Sequence, residues 1–392
     1  MKKFLSFAMF AMMFAVGCSG VGGDEDLTPD PEPEKPAPGD TSGLVASVTP
    51  SVIRANGEDV ALIEVLYNGQ PVDVSEVTFY DNETNKSLGW TTYEYTTTKP
   101  GTVVFWVSYK TQNTKDKPLT ITAEEIELEI PETPEDPEAE SLSFVHRSLL
   151  VDFTGTWCGW CPYMANAMRI LEEDEEYGDK IVFAASHYGD KMAISGNPLE
   201  NAFGINGWPS MVIDFSVMVG NYDSKDGDSN NVRIIKQQID NLHKQPAKAG
   251  ISANLTSSSQ KVVVTAAVKA GEAGKYSIGG WLVEDGISAT QTVYGTIKGD
   301  FNTHNHVLRI VDSKVSNSNY TGHDLGELEA GEYAEHVFTW DLNSAWVTEN
   351  CSVILFVTTT NENGAYYVTN AVHIDSLSGE YPFEYAEPEA EE

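Results

Sequence analysis

Apolar positions change their spacing twice along this chain. Between residues 44 and 130 they fall in short runs rich in β-branched and aromatic side chains. Val60-Ala61-Leu62-Ile63-Glu64-Val65-Leu66-Tyr67 is closed by Asn68-Gly69, Val77-Thr78-Phe79-Tyr80 by Asp81-Asn82, and residues 102–109 follow Pro100-Gly101. Runs of this length between such turns predict a small β-sandwich. From 143 to 246, strand-like runs at 148–153, 180–186 and 210–215 alternate with helical spacing. Residues 164–176 put Met168 and Leu171 on one apolar face, and residues 230–243 do the same with Ile234, Ile235, Ile239 and Leu242. That order predicts a small α/β domain. From 247 to 375, runs such as 261–268 and 351–357, separated by Gly- and Asn-rich turns, predict a second β-sandwich.

The segments between and beyond these domains are marked by composition. Met1-Lys2-Lys3, an apolar run at 4–16 and Gly17-Cys18-Ser19-Gly20 read as a secretory signal over residues 1–17. The run is shorter than the roughly 20 residues that span a bilayer. Ala15-Val16-Gly17-Cys18 resembles a bacterial lipobox, with Ala15 where Leu is usual. The resemblance implies that Cys18 is lipidated and becomes the mature N-terminus. Residues 18–43 contain Thr28-Pro29-Asp30-Pro31-Glu32-Pro33-Glu34-Lys35-Pro36-Ala37-Pro38, an acidic, Pro-rich stalk that cannot build a core. Its Asp24-Glu25-Asp26 resembles surface-export signals of some Gram-negative lipoproteins. Residues 131–142 repeat the stalk chemistry as a linker, and 376–392 form an acidic tail predicted to fray. The residues 46–57 resemble the opening of bacterial immunoglobulin-like domains.

Charge narrows the partners. The chain has 59 Asp and Glu against 24 Lys and Arg, a formal charge of −35. This excludes nucleic acid, which needs clustered Lys and Arg, and flat docking on an anionic membrane. Membrane contact is left to the lipid at Cys18, where several acyl chains give stable anchoring.

Thr156-Trp157-Cys158-Gly159-Trp160-Cys161-Pro162 carries the chemistry. A Cys-x-x-Cys pair serves zinc, haem attachment or disulfide exchange. No second Cys pair or suitably placed His completes a zinc site, and no His follows Cys161. A strand before the pair and a helix after it suit redox work. Cys158 falls just before the helix, where backbone N–H groups stabilise a thiolate, and Cys161 lies one turn on. Cys158 is therefore the expected attacking residue and Cys161 the resolving one. Pro162 suits the first helical turn. No cofactor and no metal are called for.

Val151-Asp152-Phe153, Trp157-Cys158-Gly159 and Cys161 resemble the active-site strand and turn of the thioredoxin fold family. The resemblance implies that Asp152 is the buried acid assisting proton transfer at the resolving cysteine. Residues 203–213, with Trp208-Pro209 at their centre, resemble the family's cis-proline stretch. The resemblance implies a substrate site around Trp157, Trp160, Trp208 and Pro209, with protein thiols or disulfides as partners. Trp160 stands where thioredoxins proper have Pro, which leaves redox direction open. Together with His187-Tyr188-Gly189-Asp190 and His304-Asn305-His306-Val307-Leu308-Arg309, the cysteine motif resembles the outer-membrane protein 28-related family of Gram-negative surface lipoproteins. That implies a thioredoxin-like domain joined to a β-rich C-terminal domain, located in the outer membrane of the cell envelope.

Other residues carry weaker signals. His304 and His306 share a face if they lie on a strand, and with Asp312 or His323 they could bind a metal; a polar contact or turn is the plainer account. His187 reads as a loop residue. Asp223, Asp226 and Asp228 lack EF-hand spacing. Cys351, in an apolar run, reads as a buried, inert thiol. Two functions stay open: a thiol–disulfide oxidoreductase, and a binding or adhesion lipoprotein that keeps the same fold as scaffold. Oligomeric state is not legible.

Overall fold

The structure, a computed structural model, describes residues 43–125, 127–219, 227–314 and 319–387. Cys18 and the side chains of Asp223, Asp226 and Asp228 fall outside them. The first unit is a β-sandwich. One sheet holds Leu44–Thr49, Ala61–Tyr67, Gln70–Pro71 and Glu94–Tyr95; the other holds Val52–Arg54, Leu119–Glu124, Gly101–Tyr109, Thr78–Asp81 and Gln112–Asn113. In Ala61–Tyr67, Ala61, Ile63 and Val65 are buried while Leu62 and Glu64 are exposed. The inward set meets Phe79, Phe105, Val107 and Ile121 of the facing sheet. Asn68 and Gly69 have φ of 51° and 76°, the sign that a two-residue hairpin turn requires.

The rest of the chain is built on one nine-stranded sheet. Its order is Val217–Val219, Ser210–Ile213, Ser148–Thr154, Ile181–His187, Val307–Asp312, Gly274–Glu284, Cys351–Thr360 and Tyr366–Ile374, with His323–Leu328 also paired to Gly274–Glu284. The domain boundary expected at 246/247 therefore does not separate two sheets. The two halves join where Ala185 pairs with Val307 and the Ala185 N–H donates to the His306 carbonyl at 2.7 Å.

The physical reason lies in two strands buried along their whole length, Ser148–Thr154 and Ile181–His187. Both faces need cover. Helices α1 (Pro162–Glu172) and α3 (Gly227–Leu242) cover one, packing Met164, Met168, Leu171, Ile235 and Ile239 against Leu150, Ile181 and Phe183. The short helix α2 (Pro198–Phe203) gives the opposite face only Leu199 as a fully buried side chain. That face is closed by C-terminal residues instead: Leu149, Val151 and Phe153 share a core with Trp281, Val283, Leu308, Ile354 and Phe356. The same C-terminal strands present their other face to a second sheet, Tyr333–Asp341, Lys261–Ala270, Ala249–Ser257 and Gly379–Tyr381, which completes the second sandwich.

Two segments expected to be free are docked. Within the tail, Gly379–Tyr381 pairs with Ala249–Ser257, Phe383 is buried, and Glu384 accepts from Arg147 at 2.6 Å. The linker 131–142 is tied down by Lys269, whose side chain is fully buried. Its ammonium donates to Asp136 at 2.9 Å, to the Ala139 carbonyl at 2.8 Å and to the Tyr385 hydroxyl at 2.9 Å. A buried ammonium requires such partners, and linker and tail supply them.

Candidate functional site

The site starts from the alternation of the Ser148–Thr154 strand. Leu149, Val151 and Phe153 face the shared core, so Leu150 and Asp152 face the helices. Beyond Thr154 the chain turns: the Cys158 N–H donates to the Gly155 carbonyl at 3.0 Å and the Cys161 N–H to the Cys158 carbonyl at 3.2 Å. Cys161 caps α1, and Pro162 occupies its first position, where no N–H is missed. Cys158 and Cys161 form a disulfide with an S–S distance of 2.07 Å and a Cα separation of 5.4 Å. Cys351 is a buried free thiol, as its run suggests.

Asp152 is buried, and its Oδ1 has no hydrogen-bond partner among the described residues. It lines a cavity of about 370 Å³ together with Cys161, Arg169, Glu172 and His306. Burial pushes its carboxyl up to about 8, so it holds a proton at neutral pH. At the far end of the strand, burial also pushes Asp214 up to about 7, against the opposing pull of hydrogen bonds from the Ser148 hydroxyl and the Leu149 N–H.

The four aromatic and proline positions fall into two groups. Trp157 donates its indole N–H to the Tyr188 carbonyl at 2.7 Å and meets Trp208 edge-on at 5.6 Å, while Trp208 stacks on Tyr188 at 4.5 Å. The Trp208–Pro209 bond is cis, and the following Ser210 and Met211 pair with Phe153 and Asp152. Trp160 belongs to the other group, with Tyr163 at 5.8 Å and Tyr294 at 5.6 Å.

His187, His304 and His306 line the same cavity as Asp152, each held by a different partner. His187 is buried at the end of its strand rather than in a loop; its Nδ1 lies 2.8 Å from Asp190, whose Oδ2 also accepts the Thr156 N–H at 2.9 Å. Burial pushes the Asp190 carboxyl up, but the bond and charge of His187 outweigh it and hold it at about 2. His304 packs edge-on to His187 at 5.2 Å, and burial together with His187 lowers its affinity for a proton. His306 leaves the strand at φ 55° and places Nε2 2.6 Å from Glu172, so the shared strand face expected for His304 and His306 is not formed. Burial opposes the charged form of His306, and Glu172 overrides it. His323 pairs with Asp312 at 2.7 Å. Among the described residues no three His, Cys, Asp or Glu converge as metal ligands.

Residues 196–375 match the family model described as outer membrane protein Omp28. Over that region the chain is similar to the Omp28 family. The family is one of outer membrane proteins, the location implied by the resemblance of the cysteine and histidine motifs. No curated protein matches the chain. Among solved structures, HBP35 of Porphyromonas gingivalis is 19% identical, with 64% of this chain and 81% of that chain covered and a TM-score of 0.48. A domain of the outer membrane lipoprotein Omp28 from the same organism is 20% identical over 33% of this chain and 88% of that one, with a TM-score of 0.22. Both are likenesses at a level that carries no functional argument.

The Omp28 region begins after the cysteine turn yet contains the segment that covers it, which sequence reasoning missed. Between the paired strands Ile287–Ser288 and Thr303–His304, residues 289–302 cross the turn. The Gln291 side-chain amide donates to the carbonyls of Cys158 at 2.9 Å and Gly155 at 3.3 Å. The Thr292 N–H donates to the Thr156 carbonyl at 2.8 Å, and the Tyr294 N–H to that of Gly159 at 2.7 Å. Cys158 is 4% exposed and Cys161 1%. The one sequence trace is Gly159, where a Cβ would come within 2.4 Å of the Tyr294 ring.

Proposed function

We propose that residues 143–246 form a thioredoxin-like fold, and that the chain exchanges disulfides through Cys158 and Cys161 while a lipid on Cys18 holds it to the outer membrane. The observation that carries this reading is the closed Cys158–Cys161 pair at the start of α1, with Asp152 lining the cavity that reaches Cys161. In the reduced form, the Cys158 thiolate attacks one sulfur of a substrate disulfide. That S–S bond breaks, one substrate thiolate leaves and takes a proton, and a mixed disulfide remains. Asp152, ionised in part of the population, accepts the Cys161 proton. The Cys161 thiolate then attacks the Cys158 sulfur, releases the second substrate thiol and re-forms the pair. Two electrons pass from the protein dithiol to the substrate, and a dithiol reductant must return them. Insulin reduction with dithiothreitol as electron source tests this: wild type accelerates it and Cys158→Ser does not. Equal rates for the two proteins would end the proposal.

The burial of both sulfurs favours a second reading, a binding lipoprotein in which the pair only braces the turn. The potential decides between them. A midpoint below about −300 mV marks a structural disulfide, and a higher one marks an exchanging pair.

A further inference from the structure

We infer that residues 289–302 are a strap that keeps the cysteine pair closed to partners, and that it must lift before a sulfur can be attacked. This rests on the reading of Cys158–Cys161 as an exchanging pair and adds how access to it is regulated. The strap lies along the turn as an extended peptide would. Two of its backbone N–H groups, on Thr292 and Tyr294, donate to the carbonyls of Thr156 and Gly159, and Gln291 adds side-chain bonds to Gly155 and Cys158. The edge that would hold a substrate segment is thereby filled from within the chain. The tip is seated as well. The Tyr294 ring covers Gly159 and contacts Trp160, and the Tyr163 hydroxyl accepts from the N–H groups of Thr296 and Ile297 at 3.2 and 3.3 Å. Gly295, at φ 73°, bends the strap over Tyr163, where a Cβ would lie 2.4 Å from the hydroxyl.

The strap is built to part from the turn. None of its residues belongs to a buried core cluster, and Val293 and Tyr294 are 43% and 51% exposed. Lifting it breaks hydrogen bonds and the contact of Tyr294 with Trp160 but opens no apolar core. Its base stays closed independently, because Ile287–Ser288 pairs with Thr303–His304 and the Ala289 N–H donates to the Asn302 carbonyl at 2.9 Å. A loop whose base is fixed and whose tip is held by hydrogen bonds and surface rings, with no apolar core behind it, opens locally, far below the cost of unfolding.

The test is the rate at which dithiothreitol reduces the oxidised, full-length chain. A dithiothreitol thiolate attacks one sulfur of the pair and breaks its S–S bond. The second dithiothreitol thiolate resolves the mixed disulfide, leaving two protein thiols and the cyclic oxidised reagent. Gln291→Ala and Tyr294→Ala each raise the second-order rate about tenfold, the scale of losing a net hydrogen bond and its packing. Labelling of the buried Cys351 by iodoacetamide in the same samples stays at its wild-type rate. Wild-type reduction rates in both variants would overturn the proposal, as would Cys351 labelling that rises in step, since that reports general loosening. Because the readout is reduction by a small thiol, it stands apart from insulin turnover. An inactive chain with faster reduction in the variants keeps the strap and loses the exchange reaction.

Discussion

Replacing Asp152 with Asn tests the central electrostatic claim. In the fold the carboxyl is fully buried and pushed up to about 8, while in the unfolded chain it returns to its ordinary value of 3.8. Between these two values the folded state holds one more proton than the unfolded state, so stability falls as pH rises. The cost is absent below pH 3.8, grows through the window and is complete above pH 8. Its slope is about 1.4 kcal/mol per pH unit. Between pH 5 and pH 7 the wild type therefore loses about 3 kcal/mol that Asp152→Asn does not lose. Asp214 titrates in the same range, but it is present in both proteins and cancels from the comparison. Urea unfolding of the oxidised chain at the two pH values measures the gap. A constant offset would only reflect how Asn fits the site; the change in the gap with pH is the readout. A gap of equal size at pH 5 and pH 7 would refute the reasoning, because it would mean that the carboxyl does not carry its extra proton in the fold.

Two further outcomes follow from the packing. Lys269→Ala removes the buried ammonium that holds Asp136, Ala139 and Tyr385, and it costs about 3 kcal/mol; limited proteolysis then cuts within 131–142 and the tail, where the wild type resists. Phe356→Ala, at a fully buried position that meets Trp281 at 4.8 Å and Phe215 at 5.2 Å, costs about 3–5 kcal/mol. Because that core includes Leu149, Val151 and Phe153, loss of structure around the cysteines and in the C-terminal sandwich coincides on heating; two separate transitions would show that the halves do not fold as one unit.

The accuracy of the sequence reading varied with how local each feature is. The start of α1 was legible from Cys161-Pro162, but its end was not. The helical pattern runs to residue 176, whereas α1 stops at Glu172 because the Asp174 carboxylate accepts the N–H groups of Glu176 and Tyr177 and draws the chain into a turn. His304 and His306 look like neighbours on a strand face. Asn305 accepts the Gly286 N–H between them, and the backbone turns at His306. The tail looks solvated by composition, yet Phe383 and Tyr385 outweigh its acids by packing with Phe144. Around the cysteine turn, Cys158, Cys161, Asp152, Trp157 and Trp208 carry signals in the sequence, and Asp190 stands out only through its run with His187; Gln291 and Tyr294 carry none.

What the sequence determined by itself is what neighbouring residues impose on each other. The Asn68-Gly69 hairpin, the alternation that turns Asp152 away from Val151 and Phe153, and the cysteine pair one helical turn apart all depend on a few consecutive side chains. Tertiary structure alone decided that Ile181–His187 continues into Val307–Asp312, that the second face of the cysteine strand is closed by Trp281 and Phe356, and that Gln291 reaches Cys158 across 133 residues. A strand's alternation says which side chains must be buried but not against what, because any apolar face of the right shape meets the demand. The choice is made only when all the faces of the chain are packed at once. Here that packing decides whether the cysteine pair meets solvent or its own strap.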